Sequence, residues 1–142
     1  MSEVNINRQT ILYTDRQFDV SDFAGKSGVA QPMIYLPAGS KILSGGVDIE
    51  TVFNPETSIV FTVGDTEGTD DVDKYDSAID GTVAALSTFN AITSGTIDTA
   101  EAVTMTATIV DAAGELDAGV GTLYITYVIP DGRVTELHAY RG

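Results

Sequence analysis

Ser58 to Val63 alternates without a break: Ile59, Phe61 and Val63 point one way, and Ser58, Val60 and Thr62 the other. Side chains swap faces at every residue of a strand, whereas one face of a helix repeats every three or four. Period two over this length therefore marks a half-buried strand. The run belongs to a longer stretch, Leu36 to Asp65, that reads as β-strands tied by a turn, with charges at strand ends and on one face. The fold around it must supply a partner sheet for the apolar side.

Strand signals continue on both sides. Met33 to Leu36 is an expected strand, stopped by Pro37-Ala38-Gly39. Lys41 to Leu43 and Val47 to Phe53 follow, and the Gly45-Gly46 pair between them predicts a bulge or sharp bend. Asn54-Pro55-Glu56 is a turn, because proline presets φ and asparagine tolerates tight geometry. Gly64 to Asp73 reads as a polar, acidic loop. Tyr75 to Phe89 is ambiguous: Asp80-Gly81 signals a turn, and Val83 to Leu86 suits a helical turn or a strand.

Further on, Val103, Met105, Ala107 and Ile109 alternate with Thr104, Thr106 and Thr108, a threonine face suited to solvent or to another subunit. Leu116 to Gly121 reads as a loop. Leu123, Ile125, Tyr127 and Ile129 alternate with Tyr124, Thr126 and Val128; both faces are fairly apolar, as in a central or covered strand. Pro130-Asp131-Gly132 is a hairpin turn that returns Arg133 to Tyr140 onto that strand.

The pattern amounts to about eight strands, with turn signals roughly every 8–12 residues and no convincing long helix. The expected fold is all-β, a two-sheet antiparallel sandwich, jelly-roll-like, occupying residues 29–142. An immunoglobulin-like sandwich ranks second, since the chain lacks its usual Cys pair and Trp. Before the sandwich, Met1 to Gly28 reads as an extended N-terminal arm with one short strand, Thr10 to Tyr13. Arg16 to Gly28 looks irregular. Its apolar residues need burial either in their own sandwich or against a neighbour.

Composition narrows the function. With 7 Lys and Arg against 21 Asp and Glu, the net charge of −14 repels nucleic-acid phosphates and anionic membranes. The same charge suits docking on a basic or mixed surface. Absence of cysteine removes disulfides, thiolate nucleophiles and zinc–thiolate sites. No apolar run approaches the ~20 residues that span a bilayer. The start of the sequence lacks the basic-then-apolar order of an export signal, so synthesis in a cytoplasm is expected.

Little points to catalysis. His138 is the sole histidine and cannot build a histidine metal site alone. No phosphate-binding loop, nucleophile elbow or dinucleotide fingerprint is present; Gly119-Val120-Gly121 precedes a strand and has no following helix. The acidic loop offers weak calcium candidates in Asp65, Asp70, Asp71 and Asp73, but its spacing does not match a calcium-binding loop. A solvated acidic loop is the preferred reading. No carboxylate pair stands out as glycosidase machinery, and there is no Trp to platform a sugar. The expectation is a non-enzymatic protein without a cofactor.

The stretch Leu36-Pro37-Ala38-Gly39, then Val47 to Phe53 with Asn54, then Ile59 to Asp65, resembles a group of small tailed-phage virion proteins of the head decoration or cement type. The resemblance extends through Asp73, Tyr75 and the Thr- and Ala-rich strands to a strand like Thr122 to Ile129. It spans roughly Gln31 to Pro130 and is a pattern of strands and turns with no catalytic motif. Departures occur at Asn54-Pro55-Glu56, where glycine often follows the asparagine, in a longer arm and in the hairpin to Gly142.

The resemblance implies a structural protein that binds the outside of an assembled capsid and stabilises capsomer contacts. Its partner would be the major capsid protein, and its own state a homo-oligomer, a trimer before a dimer. It would be made in the host cytoplasm and end on the capsid exterior. Tyrosine buries area at low entropy cost and is enriched at interfaces. The candidate interface residues are Ile11, Tyr13, Phe18 and Phe23 in the arm, with Tyr35 and Tyr124 in the sandwich. The rival expectation is a binding module of a phage tail or fibre that recognises host glycan or protein through Gly64 to Asp76 and Leu116 to Gly121.

Overall fold

The computed structural model describes residues 11–55, 57–65, 71–89, 101–110 and 116–129, with backbone only for Asp71, Val72 and Glu101. In chain order the elements are β1 (Leu12–Asp19), α1 (Val20–Phe23), β2 (Gln31–Leu36), β3 (Lys41–Thr51), β4 (Ser58–Asp65), β5 (Asp71–Asp80), β6 (Leu86–Thr88), β7 (Glu101–Val110) and β8 (Val120–Val128). They form two antiparallel four-stranded sheets. Sheet A has the order β1-β8-β3-β6 and sheet B the order β2-β7-β4-β5. The pairs β1–β8, β2–β7, β3–β6 and β4–β5 are nested, as when one long hairpin is rolled over itself. The sandwich is jelly-roll-like, as expected.

Alternation sets the inside. Ile59, Phe61 and Val63 on β4 are fully buried, and their neighbours Val103, Met105 and Ala107 on β7 complete the inner face of sheet B. Val47 and Ile49 on β3 and Leu123 and Ile125 on β8 face them from sheet A. At the centre, Phe61 lies 5.0 Å from Phe53, 5.1 Å from Phe23 and 5.6 Å from Phe18, ring centre to ring centre. Edge-to-face aromatic contacts of this kind add to the area term.

The expected arm needs correction. Leu12 to Asp19 is a full strand, paired residue for residue with β8 from Leu12↔Tyr127 to Asp19↔Val120. Arg16 to Gly28 is not irregular throughout. Asp19 ends the strand and caps α1, its carboxylate accepting from the Ser21 backbone N–H at 2.9 Å and the Ser21 hydroxyl at 2.6 Å. Those two bonds hold the Asp19 carboxyl below its ordinary range. The single turn of helix then drops Phe23 into the core. Phe18 and Phe23 were expected at an interface, yet they are 1% and 0% exposed inside this chain's own sandwich. Gly121 explains part of the fit: a Cβ there would stand 2.5 Å from Phe18 Cζ, so the ring needs a glycine beneath it.

Other local expectations shift as well. The Gly45-Gly46 pair does not divide two strands; β3 runs straight through it, and its register slips instead between Ile42 and Ser44 and between Ile49 and Thr51. The acidic loop is shorter than expected, because β4 extends to Asp65 and β5 begins at Asp71. Val83 to Leu86 is not helical: a turn at Gly81 leads to the three-residue β6. The threonine face of β7 meets solvent only at Thr108. Thr104 and Thr106 are 2% and 6% exposed, and their hydroxyls, with that of Thr62 beside them, make no hydrogen bond. The expected hairpin from Pro130 to Tyr140, and His138 within it, lie outside the described residues.

Two polar locks hold the loops. At the Leu36-Pro37-Ala38-Gly39 turn, Gly39 takes φ +85° and Ser40 donates to the Pro37 carbonyl through both its hydroxyl (2.6 Å) and its backbone N–H (3.2 Å). Between β3 and β4, Asn54 reaches across to the β7–β8 connection. Its side-chain oxygen accepts from the backbone N–H groups of Asp117 (3.1 Å) and Ala118 (2.9 Å), and its amide donates to the Asp117 carboxylate.

A third polar group is buried where β4 meets β5. Asp65 is 1% exposed; it accepts from the Tyr75 hydroxyl at 2.8 Å and pairs with Lys74 at 2.9 Å. The lysine side chain keeps 28% exposure, so it has water to fall back on and the tyrosine has little. Asp65→Ala is expected to cost about 3 kcal/mol in urea unfolding, through loss of a buried charged acceptor and its hydrogen bond from Tyr75. Asp65→Asn, which retains an acceptor, is expected to cost about 1–2 kcal/mol. Equal losses in the two variants would locate the cost in packing instead.

Candidate functional site

The outer face of sheet A carries an open groove of about 350 Å³, lined by Tyr13, Asp48, Glu50, Leu86, Thr122 and Tyr124. Strand parity builds it. On β3, Val47 and Ile49 point inward, which turns Asp48 and Glu50 outward. On β8, Leu123 and Ile125 are inside, which turns Thr122 and Tyr124 outward. The register then places Asp48 beside Thr122, Gly46 beside Tyr124, and Leu86 of β6 beside Asp48. From the other edge, β1 brings Asp15 opposite Tyr124 and Tyr13 opposite Thr126.

Tyr13 and Tyr124 stack with ring centres 6.4 Å apart and planes inclined by 22°. Gly46 makes room for the second ring, since a Cβ at that position would lie 2.6 Å from the Tyr124 hydroxyl and 2.3 Å from the Ser87 carbonyl. The Tyr13 hydroxyl donates to Asp15 at 3.1 Å. Desolvation against the sheet, followed by that hydrogen bond, raises the phenol above its ordinary range. Across the groove, the Thr122 hydroxyl donates to Glu50 at 2.5 Å.

The electrostatics are one-sided. Asp48 and Glu50 line the groove and Asp15 flanks it, and none of the described basic residues is among its walls. Arg16 is turned to the inner edge, where it pairs with Asp22 at 3.1 Å and donates to the Pro32 carbonyl at 3.0 Å. Lys74 is paired with Asp65 on sheet B.

Of the residues expected at an interface, the structure unites Tyr13 and Tyr124. Ile11 is 64% exposed just before β1, and Tyr35 is 74% exposed on β2 in the other sheet, away from the pair. Phe18 and Phe23 leave the set for the core. Asp48, Glu50, Thr122 and Leu86 were not anticipated. Their outward parity is readable in the sequence, but the register that gathers them from three strands is not.

The calcium candidates do not converge. Asp65 is engaged with Tyr75 and Lys74, Asp73 is exposed, only the backbone of Asp71 is described, and Asp70 lies outside the described residues. Among the described residues, no cluster of three or more acidic or histidine side chains is arranged to hold a metal ion. No helix among them is long and apolar enough to cross a membrane.

No protein-family model and no curated protein matches the chain. Solved structures do. A chain in the capsid of cyanophage Pam1 superposes with a TM-score of 0.65 at 17% identity, covering 86% of this chain and 86% of that one. In the capsid of Ralstonia phage GP4 the figures are 0.62, 16%, 82% and 84%. A chain in the acid-stable capsid of Helicobacter pylori bacteriophage KHP30 gives 0.61 at 15% identity, covering 87% of this chain and 94% of that one. At these identities the likeness is one of fold, and it extends over nearly the whole of each partner.

Proposed function

We propose that this chain is a non-enzymatic structural protein of a phage virion, of the decoration or cement type, which binds the outer surface of the head and stabilises contacts between capsomers. The observation that carries this reading is the near end-to-end match, in both directions, with single chains of three phage capsids. In each of the three capsids the match covers at least 84% of the matched chain, so the sandwich is most of that chain.

The partner in this reading is the major capsid protein, and the chain acts as a homo-oligomer, most simply a trimer. It is made in the host cytoplasm and joins the shell from outside. A net charge of −14 fits that route, because it keeps the free protein soluble and away from packaged DNA.

Heads assembled without the protein are expected to release DNA at lower temperature and to burst on osmotic dilution, with stability restored by adding the purified chain. Quantitative mass spectrometry of separated heads and tails provides the second readout. Recovery with heads, in a fixed ratio to the shell protein, is the expected result. Recovery with tails alone, and heads whose stability is indifferent to the protein, would overturn this reading in favour of a tail or fibre binding module.

A further inference from the structure

We propose that the groove on the outer face of sheet A is a receptor for an arginine side chain presented by the shell protein. The inference rests on the reading of this chain as a shell-binding protein and names the chemistry of its contact.

Charge complementarity selects the occupant. The groove has carboxylates at Asp48 and Glu50 and a third at its edge, Asp15, and no described basic side chain lines it. Among the described residues, the salt bridges are Arg16–Asp22 and Lys74–Asp65, both elsewhere. An acidic concavity with no described basic side chain on its walls repels phosphates and carboxylates and attracts a cation.

The aromatic pair selects the kind of cation. A guanidinium is flat, stacks on a tyrosine face, and offers a fork of donors to a carboxylate. Tyr13 and Tyr124 supply the faces, 6.4 Å apart. The Glu50 carboxylate, one oxygen held by Thr122 at 2.5 Å, supplies a fixed acceptor. Leu86, 60% exposed beside Asp48, offers apolar cover for the methylene stem. An ammonium on a flexible stem would use the charge but not the flat faces.

The pieces are also rigid. All the lining residues stand on paired strands, and Tyr124 is seated on Gly46, so the site is formed before the partner arrives. A preformed site avoids the ordering cost that weakens loop-based contacts.

The test is co-sedimentation of the purified full-length protein with heads assembled without it, across a salt series. Three variants are compared with the unmodified chain: Glu50→Lys, Tyr13→Ala and, as a control of equal charge change, Asp73→Lys on β5. Glu50→Lys is expected to weaken binding about tenfold or more and to flatten its salt dependence. Tyr13→Ala is expected to weaken it about threefold to tenfold. Asp73→Lys is expected to stay within about twofold, since it changes only the overall field.

Thermal melts and solution mass of each variant keep the result interpretable. If Glu50→Lys and Asp73→Lys weaken binding equally, the contact is a diffuse charge effect and the proposal falls. It falls too if Glu50→Lys binds heads normally but loses an oligomer that the unmodified chain forms, because the occupant is then a second copy of this chain. Normal head binding by Tyr13→Ala with lost adsorption to host cells would identify a glycan platform instead. Absence of any binding by the unmodified protein overturns the shell-binding reading itself, a failure distinct from a head-binding protein that ignores its groove.

Discussion

A chain shortened to begin at residue 29 is expected to lose its cooperative fold rather than merely an appendage. The cut removes β1, all eight of its register pairs with β8, and α1. It also empties two positions in the aromatic core, because Phe18 and Phe23 are 1% and 0% exposed. Truncating one buried phenylalanine to alanine costs about 3–5 kcal/mol. Losing both approaches the whole stability of a typical domain, about 5–15 kcal/mol. The slot that Phe18 fills over Gly121 would open to water, and β8 would become an edge strand bearing Tyr124, Thr126 and Val128 with unpaired backbone groups. The expected observation is a sloping thermal transition by circular dichroism, with binding of a hydrophobic dye and aggregation on size exclusion. A sharp two-state melt within a few degrees of the full chain would instead restore the picture of a detachable arm.

That correction marks where sequence reasoning stops. Alternation over Ser58 to Val63 and Val103 to Ile109 was enough to assign strands and their inner faces, since a half-buried strand carries its own orientation. The two-sheet architecture followed from the number of such strands and the turns between them. Leu12 to Asp19 gave a poorer signal. Its inner side bears Thr14 and Arg16 alongside Leu12 and Phe18, as an edge strand permits: Arg16 reaches past the sheet to Asp22 and Pro32 instead of being buried. A strand that satisfies its polar inner residues at the rim looks irregular in sequence and is regular in space.

The same distinction applies to the candidate site. Tyr13 and Tyr124 are candidate surface aromatics in the sequence, but they are separated by more than a hundred residues, and only the β1–β8 register sets them side by side. Asp48 and Glu50 read simply as polar positions of β3, because a charge on an outward face carries no mark of what it faces. The role of Asn54 was half visible. Its turn was expected, whereas its two backbone bonds to Asp117 and Ala118 depend on the β7–β8 connection arriving beside it. Conversely, the threonine face of β7 suits solvent or another subunit by type, yet Thr104 and Thr106 are buried by position, since residue type reports what a face tolerates and not what lies upon it.

Phe61→Ala is expected to be the most damaging single truncation of the core, at about 3–5 kcal/mol, a fall of roughly 10–20 °C in Tm for a domain of this size. Phe61 is fully buried on the inner-sheet strand β4 and touches three other phenylalanine rings, those of Phe18, Phe23 and Phe53. Its loss therefore removes contacts from both sheets at once. The cavity cannot close easily. β4 is fixed on one side by eight register pairs with β7 and on the other by β5. The Gly81 backbone already lies against the ring, where an added Cβ would stand 2.7 Å from Phe61 Cε2, and Gly81 is held by its own hydrogen bond to Ile59 at 3.0 Å. With the walls so constrained, the cavity contributes in addition to the lost transfer energy. Phe61→Leu, which fills most of the volume with a different shape, should cost about 1–2 kcal/mol. Equilibrium unfolding in urea measures both. A loss below about 1 kcal/mol for the alanine variant would mean that the four-ring cluster does not anchor the sandwich.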